Sequence, residues 1–164
     1  MGSRSPDRPD WRDQHAFTPK RRPGLLVVGS GMLVDDRGRV LMAKRSLSGT
    51  RPDLWEMPGG KIDRVDGGDL RETVRREWRE ELDLDILVGR YVATSELRVE
   101  VDIDVHLFEV NIVYPRSKMK LMVHSEARFV DLKHAVIRMP CAPATYDHYR
   151  AAMAALASRG RATR

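Results

Sequence analysis

One segment of the chain repeats its apolar residues at helical spacing, while the runs on either side of it read as strands. Leu70, Val74 and Leu82, with Trp78 between the last two, make the stripe, and Asp69 stands where an N-cap belongs. A helix with one apolar stripe must bury it against a neighbour, and here the neighbours are strands. Upstream, "GLLVVGSGMLVDDRGRVLMAKR" has two apolar runs flanking "DDRGR", which predicts a hairpin turning around Gly38. Between it and the helix, "SLSGTRPDLWEMPGGKIDRVDGGD" is dense in Gly, Pro and Asp and reads as loop. Downstream, "LRVEVDIDVHLFEVNIVY" alternates, with Val99, Val101, Ile103, Val105 and Leu107 on one parity. Phe108, Val110 and Ile112 fall on the other, which predicts a bulge, or two strands with a break near Leu107. "EARFVDL" reads as a further short strand and "ATYDHYRAAMAALASR" as a closing helix. Strands, helix, strands, helix, with no repeat, favours a mixed α/β layered domain.

The 164 residues suit one domain, and 41% hydrophobic residues suffice for a core. No apolar run approaches the ~20 residues that cross a bilayer, and the N-terminus has no secretory apolar region. Cys141 is the one cysteine, so no internal disulfide framework exists. These features predict a cytoplasmic protein with no membrane partner. The net charge of +5 is uneven: residues 1–22 carry +3, residues 150–164 carry +4, and the body between them −2. Nucleic acid is therefore a candidate partner only through basic tails, which more often serve solubility. The expected organisation is a disordered basic arm over 1–22, a folded domain over 23–157 and a basic tail over 158–164.

The helix carries an unusual load. Glu77, Glu80 and Glu81 stand three and four residues apart, so they share one side of it and repel one another. Hard oxygen ligands grouped this way suit Mg²⁺, with water and substrate phosphate completing its shell. The plainer reading is an exposed face in which Arg75, Arg76 and Arg79 pair the acids. Just upstream, Gly59 and Gly60 of "WEMPGGKI" allow close backbone approach to a phosphate or a metal, or simply a tight turn. Lys61 beside them is a point charge for phosphate.

"GGKI" followed by "RREWREELDL" resembles the Nudix box, G-x5-E-x7-R-E-U-x-E-E-x-G-U with U apolar. Gly60 matches its opening glycine; Arg76, Glu77, Trp78, Glu80, Glu81 and Leu84 match its second half. The wider "WEMPGGKI" is similar to the MutT branch. The likeness spans about residues 24–156 and implies a Nudix-like α/β/α sandwich, with a mixed central sheet and a Glu-rich catalytic helix. Two departures stand out. Arg76 lies two residues farther from Gly60 than the pattern has it, and the first box glutamate is replaced by Gly68, leaving Asp66 or Asp69 to supply a carboxylate. Asp83 replaces the last glycine, at a left-handed helix end that Asp tolerates better than most residues.

The resemblance implies that Gly60, through its carbonyl, with Glu77, Glu80 and Glu81, holds Mg²⁺, for which Mn²⁺ substitutes, and that Arg76 orients the carboxylates. It nominates Glu126 as a further metal ligand or base, with Glu109 a weaker rival. It assigns Arg45 to the substrate phosphates, with Lys44 sharing the task. The reaction implied is Mg²⁺-dependent hydrolysis of a nucleoside diphosphate-X phosphoanhydride, foremost in a nucleoside triphosphate. A nucleotide sugar or ADP-ribose is an alternative substrate. A non-catalytic nucleotide-binding module and an RNA-processing member using the basic tails are alternative functions. Sanitising members place an Asn after a proline before the last helix to read the purine edge; here Cys141 and Ala142 follow Pro140, which leaves the base open. Family members are often homodimers. His106 lines a cleft or faces solvent, His124 flanks Glu126, and Cys141 is a packing residue.

Overall fold

A computed structural model of the chain describes residues 15–49, 51–113, 118–133 and 139–162. Its strands are β1 (Leu25–Leu33), β2 (Val40–Arg45), β3 (Trp55–Glu56), β4 (Gly59–Lys61), β5 (Ile86–Arg98), β6 (Asp102–Ile112) and β7 (His124–Val130). Its helices are α1 (Leu70–Leu82) and α2 (Pro143–Ala162), with a 3-10 turn at Arg64–Asp66. One sheet has the order β4-β1-β6-β5, with β1 parallel to β6 and the other pairs antiparallel; a second, antiparallel sheet has the order β3-β2-β7. The helices cover opposite faces, each over its own core. Val74, Trp78 and Leu82 of α1 pack with Val27, Leu41 and Phe108. Tyr149 and Ala152 of α2 pack with Met42, Trp55, Met57 and Leu107. The fold is the expected α/β/α sandwich, with a mixed sheet beside a smaller antiparallel one.

Gly29 and Gly31 explain how closely α1 approaches β1. A Cβ at Gly29 would lie 2.8 Å from Val74 Cγ2, and one at Gly31 2.7 Å from the Trp78 Nε1. That indole is buried and donates to the Pro58 carbonyl at 3.0 Å, which ties α1 to the loop before β4. Asp69 caps α1 as expected, accepting from the Arg71 N–H at 2.9 Å. Asp83 ends it at φ 54 and ψ 40, the left-handed turn foreseen for that position.

Several expectations need correction. The turn at Gly38 forms, with Asp35 accepting from the Arg37 and Arg39 N–H groups. Yet β1 and β2 do not make a hairpin; one bridge, Val34 to Val40, joins them before they enter different sheets. Strand β6 runs unbroken through Leu107, because both its parities are buried: Leu107 under α2 and Phe108 under α1. The irregularities fall in β5, around Tyr91, and Val99 and Val101 lie exposed in the turn before β6. The loop before α1 contains the short strands β3 and β4.

Much of the arm expected over 1–22 lies outside the described residues, but its last part is docked. Phe17 stacks on Tyr91 at 5.2 Å and meets Phe108 and His106 edge-on, while its N–H donates to Asp69 Oδ1 at 2.9 Å. His106 is therefore buried in this aromatic group, and neither of its two expected positions holds. Helix α2 extends to Ala162, past the expected start of the tail. Among the described residues no helix is long and apolar enough to cross a membrane.

Replacing Gly31 by Ala drives a methyl group into a rigid, fully buried indole. Denaturant unfolding should show a loss of about 1–3 kcal/mol, the usual cost of overpacking. Unchanged stability would mean that α1 shifts freely on β1.

Candidate active site

The site is assembled where α1, the edge of β4 and the β2–β3 pair meet. Arg76 is its hub. Its Nε and Nη2 donate to the two oxygens of Asp66 at 2.9 and 3.0 Å, a forked pair. Nη2 also donates to the Lys61 carbonyl at 2.9 Å, and Nη1 reaches Glu77 at 2.8 Å and Glu80 at 3.2 Å. One guanidinium thus ties the 3-10 turn, β4 and two of the three glutamates together. Arg75 pairs with Glu72, and Arg79 with Asp85 at 2.6 Å.

Asp66 answers the departure at Gly68. The lengthened loop contains the 3-10 turn, capped at Asp63, whose side chain accepts from the Val65 N–H while Asp66 accepts from the Asp63 N–H at 2.8 Å. Thr73 donates to the same Asp66 oxygen at 2.8 Å. Burial alone would push the Asp66 carboxyl up, but Arg76, the Asp63 N–H and Thr73 outweigh it and hold it below the usual range. Gly67 and Gly68 follow with positive φ, leading the chain to the Asp69 cap. Asp69 serves as cap and as acceptor for the Phe17 N–H.

The carboxylates themselves are crowded. A Cβ on Gly60 would fall on the Glu77 carboxylate, so only glycine lets the two approach. Burial raises the Glu77 carboxyl, against the pull of Arg76. Burial pushes Glu81 up to about 8; Glu77, Glu56 and Glu80 add to the rise and Arg45 opposes it. Glu81 Oε2 is enclosed and has no hydrogen-bond partner. Among the described residues no three acidic, His or Cys groups yet converge on one point. The donor set nevertheless fits a hard divalent cation: oxygen ligands only, too close to share a site comfortably as anions, with one buried oxygen left unsatisfied.

Glu56 is the acid that the sequence reading missed. It forms an ion pair with Arg45 Nε at 3.2 Å, lies 3.5 Å from the buried His124 Nε2, and acts on Glu81. Its position three residues before Gly59 was the available signal. Glu126, by contrast, stands apart. It pairs with Lys44 across β2 and β7, whereas Glu56 pairs with Ala43. Side chains alternate along a strand, so Glu126 shares the face of Lys44, away from Glu56. Its side chain is 48% exposed, with Arg128 at 3.6 Å. Lys44 likewise turns to Asp53, at 2.9 Å. His124 flanks Glu56 rather than Glu126. Glu109 is buried against Arg90, at 2.8 Å.

From Gly60, Lys61, Arg45 and Glu56 a cleft of about 310 Å³ opens across the face of the first sheet. Leu26, Val28, Ile103 and Val105 form its floor, and Ala142, Thr145 and His148 of the α2 end form a wall. Cys141 is buried beside this wall, its Sγ donating to the Met139 carbonyl, a packing role.

The NUDIX domain family matches this chain over residues 25–150, and the chain belongs to it. A protein of Escherichia coli (strain K12) named CTP pyrophosphohydrolase is 29% identical over 127 residues, covering 77% of this chain and 91% of the relative. The solution structure of the E. coli ORF135 protein superposes with a TM-score of 0.70 at 28% identity, over 82% of this chain and 93% of that one. The crystal structure of a MutT protein from Methanosarcina mazei Go1 gives a TM-score of 0.65 at 20% identity, over 88% and 99%, a likeness of fold. Family and hydrolase relatives make this chain an enzyme of the pyrophosphohydrolase class.

The raised Glu81 sets a pH dependence. An unfolded glutamate ionises at about 4.3, whereas the folded one keeps its proton to about 8. Between these values the folded state binds more protons, so this group costs stability as pH rises. His106 and His148, both lowered by burial, act in the opposite direction, so a difference is the proper readout. In chelator, the melting-temperature advantage of Glu81→Gln over the unsubstituted protein should grow from about pH 5 to pH 8. A constant or shrinking advantage would contradict the crowding.

Proposed function

We propose that this enzyme hydrolyses a nucleoside triphosphate between its α and β phosphates, giving a nucleoside monophosphate and pyrophosphate, with Mg²⁺ as cofactor. The observation that carries the reading is the meeting of the α1 carboxylates with the polar end of the cleft, at Gly60, Arg45 and Glu56. The name of the E. coli relative supports CTP as the first substrate to test.

Glu77, Glu80 and Glu81, with the Gly60 carbonyl beside them, would hold the divalent ion, and Mn²⁺ should replace Mg²⁺. When bound, such an ion neutralises phosphate charge and lowers the pKa of a coordinated water. The chain's own residues do the rest. Arg76 keeps Glu77 and Glu80 in place and is itself held by Asp66. Lys61 and Arg45 face the cleft where the phosphates would lie. Glu80, 59% exposed at its side chain, is open to take the proton of an attacking water. The apolar floor and the α2 wall take the nucleoside. A water O–P bond forms at one phosphorus, the bridging P–O bond breaks, and pyrophosphate leaves. A non-catalytic reading rested on Gly68, and Asp66 supplies the carboxylate that position lacks.

The test is product release from a panel of nucleoside triphosphates, nucleotide sugars and ADP-ribose, with Mg²⁺ and with chelator. Pyrophosphate should appear from a triphosphate and should vanish with chelator. Glu80→Gln should lower kcat by about 10²–10⁴-fold, the usual range for a lost acid–base group. Glu81→Gln should weaken activation by Mg²⁺. Cleavage of only sugar nucleotides or ADP-ribose, or none at all, would overturn the reading.

A further inference from the structure

His148 is the one side chain of the cleft wall whose hydrogen-bonding polarity is fixed by the fold. It lies in α2, 2% exposed, against the cleft side of β6. Its Nε2 is 3.0 Å from the Val105 carbonyl. A carbonyl only accepts, so Nε2 carries the hydrogen, and in the neutral ring Nδ1 is left as an acceptor. Burial lowers the imidazole's pKa against the opposing pull of that hydrogen bond, which favours the neutral form at pH 7. Among the described residues Nδ1 has no partner, and it is not one of the fully enclosed unpartnered atoms. The ring lines the cleft. Ser30 and Thr145 also line the cleft, but hydroxyls rotate to donate or accept and so discriminate little. Val28, Ile103 and Val105 offer an apolar bed for a flat ring.

Resting on the triphosphate reading above, we infer that His148 Nδ1, the nitrogen left over by the Val105 bond, faces the cleft and reads the base by accepting a hydrogen bond from an exocyclic amino group. Cytosine and adenine present such a group. Uracil and hypoxanthine present a carbonyl oxygen at the same position, which would set two acceptors face to face in a buried site. Turning the imidazole over to donate toward that oxygen would leave the Val105 carbonyl without its hydrogen. The enzyme should therefore prefer the amino member of a matched pair.

The experiment measures kcat/KM for CTP against UTP and for ATP against ITP, pairs that differ chiefly at this edge. The dissociation constants of CMP and UMP, and of AMP and IMP, are measured alongside by calorimetry. Two variants separate reading from folding. In His148→Gln the amide nitrogen can still donate to Val105, but no acceptor remains at the Nδ1 position. In His148→Asn the side-chain oxygen can occupy the Nδ1 position. The amino member of at least one pair should be favoured on the order of 10- to 100-fold by the unsubstituted enzyme. His148→Gln should bring the ratio to within about threefold of unity at little cost in melting temperature, and His148→Asn should retain more of it. The pair that shows the preference says whether the ring is a pyrimidine or a purine. Equal use of both members in both pairs, or a ratio untouched in His148→Gln, overturns the inference. Should no triphosphate be cut, the functional reading fails separately, and the monophosphate constants still decide whether His148 reads the amino edge.

Discussion

The fork between Arg76 and Asp66 is the interaction on which the site depends. Carboxylates on adjacent turns of a helix repel, and left alone they would splay toward water. Here one guanidinium is held from below by a buried carboxylate and from the side by the Lys61 carbonyl, so its remaining nitrogen meets Glu77 and Glu80 at a defined place. The same fork binds the loop between β4 and α1 to the helix. Because Thr73 and the Asp63 N–H also hold Asp66, the anchor does not rest on charge alone. A half-buried ion pair of this kind contributes less to net stability than to the geometry of its neighbours.

Around that anchor the fold solves a problem of access. Helix α1 lies on one face of the first sheet and α2 on the other, yet both contribute to one region. The glycines of β1 let α1 come close enough for the Trp78 indole to fasten the loop before β4, which brings Gly60 under Glu77. Edge strand β4 then leads past the end of the sheet to the cleft on the far face. The cleft joins the charged Arg45, Glu56 and Lys61 to an apolar floor, a combination suited to a ligand with a phosphate tail and a flat base.

What could be read from the sequence followed local rules. Helix α1, its Asp69 cap, its left-handed Asp83 end and the shared face of Glu77, Glu80 and Glu81 all depend on spacing within a few residues. What could not be read depends on strand pairing between distant segments. Glu126 has the right residue type in a plausible segment, but one step of β alternation turns it toward Lys44 and puts Glu56 beside Glu81 instead. The hairpin at Gly38 has its turn chemistry, yet β2 pairs with β3 and β7. His106 lies in an aromatic group completed by Phe17, from an arm whose composition suggested disorder. Asp66 was one of two candidates for the missing box carboxylate, and only the three-dimensional path of the longer loop selects it.

The anchoring role of Asp66 can be tested without any substrate. Mn²⁺ titration by calorimetry, with the unsubstituted protein beside Asp66→Asn, measures how well the glutamates are held for a cation. Asp66 touches Arg76 and is remote from direct ligation, so the substitution should weaken Mn²⁺ binding by about 10–100-fold, the usual effect of losing a group that orients metal ligands, while the fold survives. Equal affinity in a folded Asp66→Asn protein would contradict the claim that the Arg76 fork organises the site.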